Sequence, residues 1–187
     1  MADLQLNPKT ALGQDAPGSI VIGGLTITER DDTALASLAT RQGRAVDVAR
    51  AAAVAGVPLP GPGRSEVGPE LAGFWLGPDQ WMIEAPFASH ADIRAAVLAL
   101  FGDAASVTEQ TDAWVRFDLS GELPAVLERL TNFDFRSAAD LAATRTVIDH
   151  LGCYLIRRSA QLVTIYGPRS SAHSLQHAMV VAAASVA

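Results

Sequence analysis

The sequence predicts an α+β fold built from two hairpin-plus-helix half-modules, and three observations carry that expectation. First, Leu71–Leu76 and Trp81–Ala85 are short apolar runs around Gly77-Pro78-Asp79-Gln80, where proline presets φ at the second turn position and aspartate tolerates the third. Second, the unit has an echo. Gln80-Trp81-Met82-Ile83, Pro86 and Ser89-His90 are matched, with offsets of one or two residues, by Gln161-Leu162-Val163-Thr164, Pro168 and Ser170–His173. Third, helix-start chemistry follows each hairpin: a Ser89/Asp92 box precedes Ile93, Val97 and Leu100 at helical spacing, and Ser170 opens a terminal helix. Hairpin then helix, twice, has the βαββαβ character of ferredoxin-like units sharing one sheet or stacking two.

The remaining elements follow in chain order. Residues 1–19 are polar, with Pro8, Gly13, Pro17 and Gly18, and are expected to form a flexible arm without a core of its own. Residues 20–187 make one domain, with half-modules at about 20–102 and 103–187. Ile20–Glu29 alternates and is β-branched, so it is the first strand, interrupted at Gly23-Gly24. Asp31-Asp32-Thr33 supplies cap-type residues for a helix to about Gln42, and a second helix covers Arg44–Ala55 before Gly56 and Pro58 stop it. Pro58–Glu70 is too rich in proline and glycine for a regular element. Ser106–Gly121 reads as a strand in which Val115, Phe117 and Leu119 alternate with Trp114, Arg116 and Asp118. A helix capped by Ser120 then runs to about Thr131 with Val126, Leu127 and Leu130 inward, and Thr146–Arg158 with Leu162–Tyr166 makes the second hairpin.

Composition bounds the partners. The 187 residues carry a net charge of −6 and no clustered basic stripe, which argues against nucleic acid. The longest apolar run, Ala178–Ala187, is about half of a membrane span, and the N-terminus has no basic segment followed by an apolar one, so a cytoplasmic protein is expected. A single cysteine, Cys153, sits inside an apolar strand and reads as a buried small hydrophobe.

Chemistry-bearing constellations are sparse. His173 and His177 have the i, i+4 spacing of metal ligands, but "HSLQH" lacks the glutamate that defines a zinc-protease helix. "GPGR" at Gly61–Arg64 is not a phosphate loop, because its prolines remove backbone donors, and no G-x-S-x-G elbow occurs. No catalytic, cofactor-binding or metal residue is therefore assigned in this chain. What stands out is apolar bulk on faces that should be wet. If Leu76 opposes Trp81, then Trp75 and Met82 share the outer face of the first hairpin beside Glu84, and Trp114 repeats the pattern beside Arg116 and Asp118. Trp75, Met82 and Trp114 are thus the expected partner interface.

The motif order resembles one family. "GPGR", "FWLGPDQWMI" with its W-L-G-P-D-x-W core, "VTEQTDAWVRFDLSG", "LPAVLERLT", "NFDF", "TVIDHLGCYLIRR" and "YGPRSSAHSLQH" are similar in sequence and spacing to the gamma subunit of heterotetrameric sarcosine oxidase, over roughly Leu35 to the C-terminus. "NFDF" departs from the Cys-Pro-Leu-Asp-Leu-like segment common there. The resemblance implies a fold similar to part of the folate-binding domain of aminomethyltransferases such as glycine-cleavage T-protein. It implies a non-catalytic assembly subunit of an oxidoreductase complex that demethylates sarcosine to glycine and passes the one-carbon unit to tetrahydrofolate. FAD, FMN, NAD and tetrahydrofolate would sit in other subunits, and the partners would be a large folate-module subunit and a flavin-binding subunit. Alternative readings are a subunit of a related N-methylglutamate or dimethylglycine dehydrogenase complex, a stand-alone folate-binding aminomethyltransferase-like protein using Glu109, Asp112 or Asp118, and a small-ligand regulatory domain that dimerises.

Overall fold

The computed structural model describes residues 7–187. Four layers stack as helices, sheet, sheet, helices. One antiparallel sheet has five strands in the order β4-β5-β6-β3-β7, from β3 (Thr33–Thr40), β4 (Ser65–Val67), β5 (Ala72–Gly77), β6 (Gln80–Pro86) and β7 (Ala105–Glu109). The other has six in the order β1-β2-β8-β11-β10-β9, from β1 (Ser19–Ile22), β2 (Leu25–Arg30), β8 (Trp114–Gly121), β9 (Ala143–Ile148), β10 (Leu151–Ser159) and β11 (Leu162–Pro168). Helices α1 (Ala45–Ala55) and α2 (Ile93–Phe101) cover the outer face of the smaller sheet, and α3 (Pro124–Leu130) and α4 (Ala172–Ala184) cover that of the larger.

Alternation builds three cores. Val115, Phe117 and Leu119 of β8 point to α3 and α4 with Ile165, Leu155 and Cys153, while Ile83 and Ala85 of β6 point to α1 and α2 with Val48, Val97 and Phe101. Between the sheets, Leu35, Phe74 and Met82 meet Ile156 and Tyr166; the Phe74 ring stacks 5.7 Å from Tyr166 and lies 5.5 Å from Tyr154.

The α+β class, the two main hairpins, α1, α2, α3 and α4 agree with the expectation, and several details differ. The expected single strand Ser106–Gly121 is two strands, β7 and β8, in different sheets, because a tight turn at Thr111–Ala113 redirects the chain between them. The segment Thr33–Thr40 is a central strand and not a helix. Its neighbours β6 and β7 take up its backbone hydrogen bonds on both sides, and both faces are buried: Ala34, Ala36 and Leu38 face the helices, Leu35 the other sheet. A strand buried on both faces shows no polar alternation, and its alanines mimic helix propensity. Asp92, not Ser89, caps α2, accepting from Ala95 N at 2.9 Å, and Ser120 lies in β8 opposite Leu162 of β11, while Pro124 starts α3. The expected long strand Thr146–Arg158 contains a two-residue turn, with Asp149 at φ 47° and His150 at φ 68°, and Ser65–Val67 pairs with β5 inside the expected irregular connector.

The division near residue 102 does not separate the sheets. β1 and β2 join the second half's sheet through β8, and β7 closes the first half's sheet beside β3, so each half is completed by the other. Of the expected arm, residues 1–6 lie outside the described residues. Residues 10–14 form a turn docked on the domain: Leu12 is buried in the core beneath α3 and α4, and its N–H donates to Glu29 Oε1 at 3.0 Å.

Candidate functional site

The polar faces of the two sheets converge at one end of the inter-sheet layer. On β8, alternation that buries Phe117 outward leaves Arg116 and Asp118 facing the other sheet, and the β8–β11 register sets Arg116 beside Tyr166 and Asp118 beside Thr164. Alternation along β10 carries Arg158 to the same face as Tyr154 and Ile156, toward the smaller sheet, at a bulge where the β10–β11 register skips one residue between Arg157 and Ser159. There it meets Glu84 of β6.

A continuous hydrogen-bond chain results. Tyr166 Oη donates to Glu84 Oε1 at 2.5 Å, and Arg158 Nη2 donates to the same oxygen at 2.6 Å. Arg158 Nε donates to Thr164 Oγ1 at 3.1 Å, which donates to Asp118 Oδ1 at 2.7 Å. Arg116 grips Asp118 with Nε at 3.0 Å and Nη2 at 2.8 Å, and its Nη1 reaches Thr33 Oγ1 on β3 at 2.7 Å. The Glu84–Arg158 pair between β6 and β10 and the Arg116–Thr33 bond between β8 and β3 therefore bolt one sheet to the other, while the Arg116–Asp118 pair lies within β8.

Burial sets the protonation states. It pushes the Tyr166 hydroxyl well above its ordinary value, and the Glu84 carboxylate pushes it further, so Tyr166 remains a neutral donor. Burial opposes the charge on Arg116, but the Asp118 and Glu84 carboxylates outweigh it, and the guanidinium is held above its ordinary value. Arg158 follows the same logic: burial works against it and Glu84 prevails. Beside these groups opens a cleft of about 420 Å³, floored by Glu84, Arg116 and Arg158 and walled by Val67, Leu71, Ala85 and Pro86. The arrangement holds charges and offers hydrogen bonds. It contains no thiol or histidine, and its tyrosine is not a base.

The expected interface residues are scattered. Trp75 opposes Trp81 and Phe74 opposes Met82, because Leu76 is an extra residue in the β5 ladder. That one-residue slip moves Trp75 to the face of Trp81 and Phe74 to the face of Met82. Met82 stays on the face of Glu84 and is buried because the other sheet covers that face, whereas Trp75 is half-buried on the helix side near Trp81, whose indole N–H donates to Pro60 O at 2.8 Å. Trp114 is also half-buried; its ring lies 5.1 Å from Tyr154 and its N–H donates to Gln110 Oε1 at 3.2 Å.

Of the carboxylates considered for a pterin, Glu109 and Asp112 are exposed, and Asp118 is held by Arg116 and Thr164. His173 and His177 lie on the exposed face of α4. Cys153 is fully buried in the core beneath α3 and α4, and burial pushes its thiol up to about 11. Glu84, Arg158 and Tyr166 were not singled out from sequence. A usable signal existed for two of them: a glutamate inside an apolar strand and an Arg-Arg pair before a turn are costly unless they find each other.

No family model matches the chain, and no curated protein matches it in sequence. Solved structures do match in fold. A chain of heterotetrameric sarcosine oxidase from Corynebacterium sp. U-96, in complex with pyrrole 2-carboxylate, superposes with a TM-score of 0.73 at 22% identity, covering 88% of this chain and 87% of that one. The glycine cleavage system aminomethyltransferase T from Bartonella henselae superposes with a TM-score of 0.62 at 14% identity, covering 85% of this chain and 46% of the enzyme. The chain thus shares its fold with most of a chain of the first protein and spans less than half the length of the second.

Proposed function

We propose that this chain is a non-catalytic, gamma-type subunit of a cytoplasmic sarcosine oxidase-type flavoenzyme complex, which oxidatively demethylates sarcosine and delivers the one-carbon unit to tetrahydrofolate. One observation carries the reading. The structural match runs through most of a chain of similar length that belongs to a heterotetrameric oxidase, and the ordered motifs from "GPGR" to "YGPRSSAHSLQH" resemble the gamma subunit of such oxidases. The polar centre supports a scaffold role, since the Glu84–Arg158 pair and the Arg116–Thr33 bond tie the two sheets together. FAD, FMN, NAD and tetrahydrofolate belong to the partner subunits in this reading, and the half-buried Trp75 and Trp114 are the contacts proposed toward the large folate-module and flavin-binding subunits. Among the described residues no helix is long and apolar enough to cross a membrane.

The test is reconstitution. Sarcosine-dependent turnover of the large subunits is expected to fall at least tenfold when this chain is omitted, and full activity without it contradicts the proposal. Turnover with N-methylglutamate or dimethylglycine but not sarcosine moves the chain to a related dehydrogenase complex.

The fold shared with aminomethyltransferase T favours a second reading, a stand-alone folate-binding protein. Calorimetric titration of the isolated chain with tetrahydrofolate separates the two: the subunit reading expects no saturable heat at millimolar ligand.

A further inference from the structure

We infer that the cleft between the two sheets is a binding site for a small zwitterion bearing a protonated amine and a carboxylate, a solute of the amino-acid class. Two atoms on its floor carry the inference. Glu84 is 5% exposed, and both Tyr166 and Arg158 spend their bonds on its Oε1, while no described residue donates to Oε2. Arg158 uses Nε on Thr164 and Nη2 on Glu84, which leaves Nη1 without a protein acceptor among the described residues. Arg116, by contrast, has all three of its nitrogens engaged.

Glu84 and Arg158 both line the cleft, so an unfilled acceptor and an unfilled donor of opposite charge stand side by side on its floor. A lone anion would meet the repulsion of Glu84 and Asp32, and a lone cation that of the two guanidiniums. A zwitterion satisfies both, its ammonium on Glu84 Oε2 and its carboxylate on Arg158 Nη1, as charge-assisted bonds. The cleft of about 420 Å³ lies within the usual range of small-ligand sites, and Val67, Leu71 and Ala85 give it an apolar wall for a side chain. Its mouth is bounded by Val67, which is 66% exposed.

The experiment is calorimetric titration of the full chain with glycine and L-valine, beside methylammonium chloride and sodium acetate at matched ionic strength. Saturable one-site binding of the zwitterions is expected, about tenfold or more tighter than either singly charged probe. Glu84→Gln should weaken it by a similar factor. Because that variant disturbs a buried pair, Val67→Trp is the second arm: it plugs the mouth from an exposed position and should abolish binding with an unchanged melting temperature. The inference is overturned by an absence of saturable heat with both zwitterions at millimolar concentration, by equal binding of acetate or methylammonium, or by binding that survives Val67→Trp. It is read on the chain alone, so either outcome leaves the assembly proposal to its own test.

Discussion

Glu84→Ala is expected to destabilise the protein by about 3–5 kcal/mol, because it leaves the buried Arg158 guanidinium uncompensated and the Tyr166 hydroxyl without its acceptor. The cost comes from the orphaned partners more than from the lost attraction, since an intact buried ion pair contributes little net stability. Two comparisons isolate that cause. Glu84→Gln keeps an acceptor for Tyr166 and should cost less than Glu84→Ala. Removing the charge on both sides, as in Glu84→Met with Arg158→Met, should restore a large part of the loss, because no unpaired ion then remains inside. Urea denaturation of the three variants reads this out. A loss below about 1 kcal/mol for Glu84→Ala would mean that water reaches Arg158 and that the network does not join the sheets.

Gly121→Ala should be comparably damaging for a different reason. Gly121 has φ 113°, a conformation that side chains rarely adopt, and an added Cβ would stand 2.0 Å from Gly24 O. That carbonyl also accepts from Glu122 N at 3.1 Å, so the β1–β2 turn and the end of β8 are locked in one contact. Strain and steric overlap together predict a loss of about 3 kcal/mol or more. Gly77→Ala is the control: an added Cβ there meets nothing within 4 Å, and its φ is ordinary for a side chain. Its effect should stay within about 0.5 kcal/mol. Equal midpoints for the two variants in a thermal melt would contradict the packing described at Gly121.

The elements legible in the sequence are those whose pattern is local. The Pro78-Asp79 turn, with Asp79 at φ 56°, the Gly56 and Gly102 helix ends, and the alternation of β8 can each be read from a few neighbouring residues. The misread ones depend on partners far away in the chain. β3 is a strand because β6 and β7 flank it, and nothing within Thr33–Thr40 distinguishes a doubly buried strand from an alanine-rich helix. The pairing in the first hairpin turned on a single extra residue, Leu76, which set Trp75 opposite Trp81 and Phe74 opposite Met82, and Met82 is core because the other sheet covers its face.

The candidate site was illegible for the same reason. Its members come from positions 33, 84, 116, 118, 158, 164 and 166, and no two facing charges of the Glu84–Arg158 pair are near in sequence. Arg116 and Asp118 were visible as the polar face of a strand, yet that face looked like surface, because the sheet that covers it is assembled from the first half of the chain. Trp75 keeps its place as a proposed contact: it is half-buried, and its ring does not belong to any of the three cores.

The central claim is that this chain works as a part of a larger oxidase. Native mass measurement on the chain co-expressed with the large subunits of a sarcosine oxidase-type complex tests it most directly. The account predicts one assembly whose mass includes the 19.6 kDa of this chain and which loses it when Trp75 is replaced by aspartate. Large subunits that assemble to their full mass without it, with the chain recovered as a separate monomer, would contradict the claim.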